Sequence, residues 1–130
     1  MAINLSKTDF ILYRECPKNV WYKIHRPDIY SESELSEFEK SIMETGNEVE
    51  LVARKLFPDG ILIERRDERG QKTTQDYIAK RQETLFQPIF VKDNFLAAVD
   101  VLKFEPETES YSIYEVKSTS NVDEKVHYHD

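Results

Sequence analysis

The chain has 130 residues, one cysteine and a formal net charge of −7, with 39% hydrophobic and 12% aromatic residues. That apolar content suffices for one folded domain with a single core, and a lone cysteine leaves no disulfide framework, so a cytoplasmic location is the default expectation. The acid excess argues against attachment to nucleic acid by a general positive field, no segment approaches the ~20 apolar residues of a membrane span, and the start lacks a signal peptide's basic-then-apolar pattern.

Ser6 with Asp9 three residues on reads as a helix start, followed by Phe10, Ile11 and Tyr13. Cys16-Pro17 breaks that helix and Pro17 opens the next, with Val20, Trp21 and Ile24 on its inner side. Lys18, Lys23, His25 and Arg26 cluster there with Trp21 and Tyr22, a combination that suits a phosphate track with an aromatic for base stacking. The alternative is that Trp21 belongs to the core and the charges to a solvated face. Ser31 with Glu34 marks a third start, followed by Leu35, Phe38 and Ile42 at helical spacing, and Gly46 interrupts that helix. A fourth then buries Val49, Val52, Ala53 and Leu56 and ends at Pro58-Asp59-Gly60.

Residues 61–63 read as a short strand, 66–70 as an exposed turn, and 74–82 as a helix with Tyr77, Ile78 and then Leu85 inward. A second basic stretch, Arg65, Arg66, Arg69, Lys72, Lys80 and Arg81, accompanies them as another phosphate track or a solvated face. Residues 85–91 follow as a strand that Pro88 makes an edge or bulged one. After the turn Lys92-Asp93-Asn94, residues 95–104 and 111–118 are rich in β-branched and aromatic side chains, and the polar run 105–110 between them reads as a hairpin turn. There is no repeat and no internal boundary, so residues 1–130 read as one domain, with a polar tail expected to be poorly ordered. His127 and His129 share a face of that tail if it is extended, but a terminal histidine pair is given no place in a site.

With the hairpin centred on Glu107 and Thr108, Asp100 faces Glu115, Leu102 faces Ile113, Phe104 faces Tyr111 and Ala98 faces Lys117, all on one side of the sheet. Two opposed carboxylates repel, and a bound cation removes that penalty. Oxygen ligands without thiolate or imidazole suit Mg²⁺ or Mn²⁺. Lys117 points the same way, where it would hold a phosphate oxygen or polarise a water, as phosphodiester hydrolysis requires. The competing reading is a solvent-facing strand with ordinary Glu/Lys alternation.

Asp100 followed by Glu115-x-Lys117 across a hairpin resembles the active-site motif of the PD-(D/E)XK nuclease superfamily. Leu5-Ser6-Lys7-Thr8-Asp9-Phe10, then Tyr13-Arg14-Glu15-Cys16-Pro17-Lys18 and Trp21, is similar to the amino-terminal helices of bacterial RecB-like nucleases. Gly46-Asn47-Glu48-Val49, Ala53-Arg54-Lys55-Leu56-Phe57-Pro58 and Glu115-Val116-Lys117-Ser118-Thr119-Ser120 fit one bacterial branch of that group. The resemblance implies a restriction-endonuclease-like α/β core, a small mixed sheet flanked by helices. It implies metal-dependent DNA hydrolysis, with DNA favoured over RNA, in which Asp100 and Glu115 ligate the metal, the Val116 carbonyl is a further ligand and Lys117 is the catalytic lysine. A further acid comes from a helix before the sheet. Glu48 is the first candidate because it lies nearer in angle to Val52, with Glu50 the second; Glu48 also suits a helix-start carboxylate facing the dipole.

The chain departs from that pattern in two ways. RecB-like nucleases continue past the Glu-x-Lys strand into a helix with a glutamine and a tyrosine, so this chain is expected to be the amino-terminal part of a longer protein, incomplete at its carboxyl end. In related exonucleases a cysteine in the setting of Cys16 joins three later ones around an iron-sulfur cluster, which one cysteine cannot hold. Either the partner cysteines lie in sequence outside this chain or Cys16 is a small buried residue, and the second reading is the one taken for this chain. The rival function is a non-catalytic module of the same fold that binds nucleic acid or a protein partner.

Overall fold

The computed structural model describes residues 4–30 and 36–124. The Ser31–Glu34 helix start and the two tail histidines lie outside the described residues. Those described form a mixed α/β structure of four helices and two small sheets, each with parallel and antiparallel neighbours. No described helix is long and apolar enough to cross a membrane.

Strand β1 (Leu5–Ser6) runs directly into helix α1 (Lys7–Glu15). The junction is the expected reciprocal cap: the Asp9 N–H donates to Ser6 Oγ at 3.2 Å, and the Ser6 N–H donates to Asp9 Oδ2 at 2.9 Å. Burial alone would push the Asp9 carboxyl up, but hydrogen bonds from Ser6 and the Lys23 ammonium hold it below its ordinary value. Cys16 is extended, as the residue before a proline must be, and Pro17 opens α2 (Pro17–His25). Val20 and Ile24 are half-buried as expected; Trp21 is not, since it is 52% exposed.

Helix α3 (Glu37–Arg54) runs through Gly46 without a break, because a mid-helix glycine costs only about 1 kcal/mol and, among the described residues, no atom lies within 4 Å of where its Cβ would be. It stops at Arg54, short of Pro58-Asp59-Gly60, where the N–H groups of Lys55, Leu56 and Phe57 tighten onto carbonyls three residues back. Its inward stripe also differs from the expected one. Gly46, Val49, Glu50, Ala53, Arg54 and the following Phe57 are half-buried, whereas Val52 and Leu56 are 61% and 76% exposed. The helix is turned so that Glu50 and Arg54 face the sheets and Glu48 faces solvent, since Arg54 lies over the Phe86 ring, 5.4 Å from its centre. That ring in turn lies against Gly60, where a Cβ would come within 2.2 Å of it; only glycine permits the approach.

Strand β2 (Ile61–Leu62) leads to α4 (Glu68–Ala79), which begins inside the segment expected to be a turn. Asp67 accepts from the N–H groups of Arg69 and Gly70, both at 3.0 Å, so a residue that looks like a turn former is the helix cap. The expected strand 85–91 is two, β3 (Thr84–Phe86) and β4 (Ile89–Lys92), and the expected strand 95–104 is likewise β5 (Phe95–Ala98) and β6 (Val101–Glu105). These four make one long hairpin that bends at Gln87-Pro88 and Val99-Asp100 without losing step: Phe86 pairs with Val101 below the bend and Ile89 with Ala98 above it. At the bend the Gln87 N–H donates to the Asp100 carbonyl at 3.2 Å and the Val99 N–H to the Pro88 carbonyl at 3.1 Å. Asp93 and Asn94, with φ of 50° and 65°, close the tip as a two-residue turn.

The bend delivers β4 and β5 to one sheet, in the order β1-β5-β4, and β3 and β6 to the other, β2-β3-β6-β7. Strand β7 (Ser110–Tyr114) meets β6 in the expected register, Leu102 opposite Ile113 and Phe104 opposite Tyr111. Ala98 does not face Lys117, because it pairs with Ile89 in the other sheet and β1 takes that flank of β5. The core lies under the bend: Leu85 and Ile89 are fully buried beside Ile63 and Leu102, with Tyr77 and Ile78 of α4 packed on them. Full burial of each such aliphatic side chain contributes roughly 1.5–3 kcal/mol.

Candidate functional site

Asp100 sits at the bend because Val101 is the last residue of β6 paired with β7, opposite Tyr114. The next residue out on each strand is an acid, Asp100 on one and Glu115 on the other. Asp100 Oδ2 accepts the Val116 N–H at 2.8 Å, and Oδ1 accepts Gln87 Nε2 at 3.1 Å. Burial pushes the Asp100 carboxyl above its ordinary value; the charges of Glu115 and Glu50 push it further, and the bonds from Val116 and Gln87 offset only part.

Glu50 reaches the site from α3. Its Oε1 accepts Gln87 Nε2 at 2.8 Å and Arg54 Nη2 at 2.6 Å, so one buried amide links the helical acid to the strand acid. Glu48 is exposed and takes no part; the second-choice glutamate is the one brought to Asp100. Glu115 Oε1 accepts Lys117 Nζ at 2.9 Å and, more distantly, Lys7 Nζ at 3.4 Å. Lys7 arrives because β1 and α1 occupy the gap where β7 parts from the bent hairpin. Val116 enters through its N–H.

Of these groups Lys7, Glu50, Gln87 and Asp100, joined by Arg66, border an open cleft of about 240 Å³ at the start of α1. Beside it lies a larger, mainly apolar cleft of about 380 Å³, with Phe10, Phe95 and Ile113 in its wall and Lys7 and Glu115 at its margin. Among the described residues no three acidic, histidine or cysteine side chains converge closely enough to grip an ion as they stand. Each acid is met by N–H donors instead. The donor set is nonetheless all oxygen, which is the chemistry of Mg²⁺ and Mn²⁺ sites.

Trp21 presents its exposed ring edge-on to Tyr22, 5.2 Å between centres, and lies 5.2 Å from the His25 ring. Of the cations named with it, Lys18 is exposed, Lys23 pairs with Asp9 at 3.1 Å and Arg26 with Asp28 at 2.8 Å. The second basic stretch divides: Arg65 pairs with Asp67 and Arg81 with Glu109, whereas Arg66 donates to Gln87 Oε1 at 3.2 Å and so belongs to the site. Gln87 and Lys7 were not legible as site residues, and Arg66 was named only within the second basic stretch, with nothing to link it to the acids. The only local signal was Pro88, which marks the strand break that turns Gln87 inward. No protein-family model matches the chain, nor does any curated protein or solved structure.

Proposed function

We propose that this chain carries the metal-dependent phosphodiester-hydrolysing centre of a DNA nuclease, on a restriction-endonuclease-like core of the RecB-like kind. The observation that carries the reading is the meeting at one bend of Asp100, Glu115 with Lys117, and the helical acid Glu50 joined to Asp100 through Gln87. Asp100, Glu115 and Glu50, with the Val116 carbonyl, would hold Mg²⁺ or Mn²⁺, which supplies a Lewis acid for the phosphate and a water of lowered pKa. Lys117, released from Glu115, orients that water or stabilises charge developing on the phosphate oxygens. Lys7 and Arg66 add positive charge on either side of the cleft, and the exposed Trp21 ring offers a stacking surface for a base.

The test is a calorimetric Mn²⁺ titration of the chain, its Glu115→Ala variant and its Lys117→Ala variant, followed by cleavage of a DNA oligonucleotide. Glu115→Ala should lose Mn²⁺, while Lys117→Ala should keep Mn²⁺ and lose cutting. Cutting that survived Lys117→Ala would refute this division of roles. A non-catalytic binding module is the second reading, favoured by the engagement of every site acid with protein N–H groups. Such a module would retain DNA equally well in chelator, whereas the nuclease site requires the ion.

A further inference from the structure

The Gln87 side chain lies between two carboxylates that belong to different elements. Its Nε2 carries two hydrogens, and the two acceptors in reach are Glu50 Oε1 at 2.8 Å and Asp100 Oδ1 at 3.1 Å. Its Oε1 accepts from Arg66 Nη2, which fixes which end of the amide faces the acids: reversed, the oxygen would oppose two carboxylates and the NH₂ would oppose a guanidinium. Gln87 is 7% exposed and has a φ of 52°. A buried glutamine held in the left-handed region, with every polar atom of its side chain engaged, is closely constrained by its surroundings.

We infer that Gln87 stands in for the cation: in the metal-free chain its amide offers Glu50 and Asp100 the positive end that a divalent ion would otherwise provide, and it withdraws when the ion enters. This rests on the metal-site reading above. A Mg²⁺ ion at the Nε2 position would need the Glu50 oxygen to move in by about 0.7 Å and the Asp100 oxygen by about 1 Å, to bonds of about 2.1 Å, a shift within the reach of a glutamate and an aspartate side chain. The amide is thus a competitor built into the site. It holds the acids near one another while lowering the chain's apparent affinity for metal, because two charge-assisted hydrogen bonds are lost on binding. It also accounts for a set of acids that approaches a metal site without closing on one.

The experiment compares the parent with Gln87→Met, which keeps the length without a donor, and Gln87→Glu, which keeps the shape and the Arg66 partner while adding an oxygen ligand. Each is titrated with Mn²⁺ by calorimetry and melted in chelator and in saturating Mn²⁺. Both variants should melt below the parent in chelator, bind Mn²⁺ at least about tenfold tighter, and gain more in melting temperature from the ion. A glutamine that only supports the fold would give, in Gln87→Met, lower melting together with equal or weaker Mn²⁺ binding; that result, in the folded variant, overturns the inference and leaves the metal site standing, whatever the ligand added in Gln87→Glu contributes. Binding by the variants but not by the parent would support the inference in its strongest form. Failure of all three folded proteins to bind Mn²⁺ would remove the metal-site reading, and the inference with it.

Discussion

Thr74 on α4 is fully buried, and its hydroxyl is a two-way bridge: Oγ1 donates to the Gly70 carbonyl and accepts the Ile89 N–H, each at 2.9 Å. Ile89 is the first residue of β4 after the bend, so this bridge fixes the exit of the chain from Gln87-Pro88. Thr74→Val keeps the shape and removes the hydroxyl. The Gly70 carbonyl retains its helical partner, but the Ile89 N–H is stranded where water does not reach, at a cost of about 1–3 kcal/mol. For 130 residues the unfolding entropy is about 0.27 kcal/mol per kelvin, so a loss of about 2 kcal/mol lowers the melting temperature by roughly 7 °C. Thermal melts would measure it, with Thr74→Ser as a control that keeps both bonds and loses about 1 kcal/mol for one methyl. Hydrogen exchange at Ile89 should accelerate in Thr74→Val alone. A Thr74→Val protein that melted at or above the parent, with Ile89 still protected, would refute the assignment.

Asp100→Asn should stabilise the metal-free chain near neutral pH. The folded carboxyl lies above its ordinary 3.8, so the native state binds a proton more readily than the unfolded one, and stability falls as pH rises from 3.8 through the raised value. The penalty persists above that window, so the variant's advantage should be present at about pH 7 and vanish below 3.8. Melts across pH that placed the variant below the parent at neutrality would contradict this. Trp21 is the only tryptophan, so its own fluorescence reports stacking. Single-stranded DNA should quench it, and Trp21→Ala should weaken binding by about 1–3 kcal/mol with little loss of stability. Unchanged emission at saturating DNA would remove Trp21 from the interface.

What the sequence revealed and what it concealed separate along the range of the interactions. The Ser6/Asp9 cap and the Cys16-Pro17 break depend on neighbours in the chain, and both were readable. The pairing of Leu102 with Ile113 was readable because turn position and strand alternation fix a register between adjacent strands. The division of each long strand between two sheets was not, because the flank of β5 beyond the bend is taken by β1 from the far end of the chain. The rotation of α3 was hidden for a related reason. Hydrophobic spacing pointed to Val52 and Leu56, but the sheet side of the helix offers an aromatic face and a buried amide, which Arg54 and Glu50 satisfy. Asp67 was read as a turn residue because caps and turns use the same side chains, and only the chain beyond decides between them.

The hairpin tip at Asp93-Asn94 therefore acts as a ruler for the chemistry below it. Gln87 and Asp100 stand equally far from that turn on opposite strands, and the ladder between them keeps step through the bend. A residue added at the tip would slide one strand along the other, carry Gln87 past Asp100 and send one of the two side chains to the opposite face. A loop without a charge in the cleft thus sets which side chain meets the acid, and its length is as much a part of the site as the acids themselves.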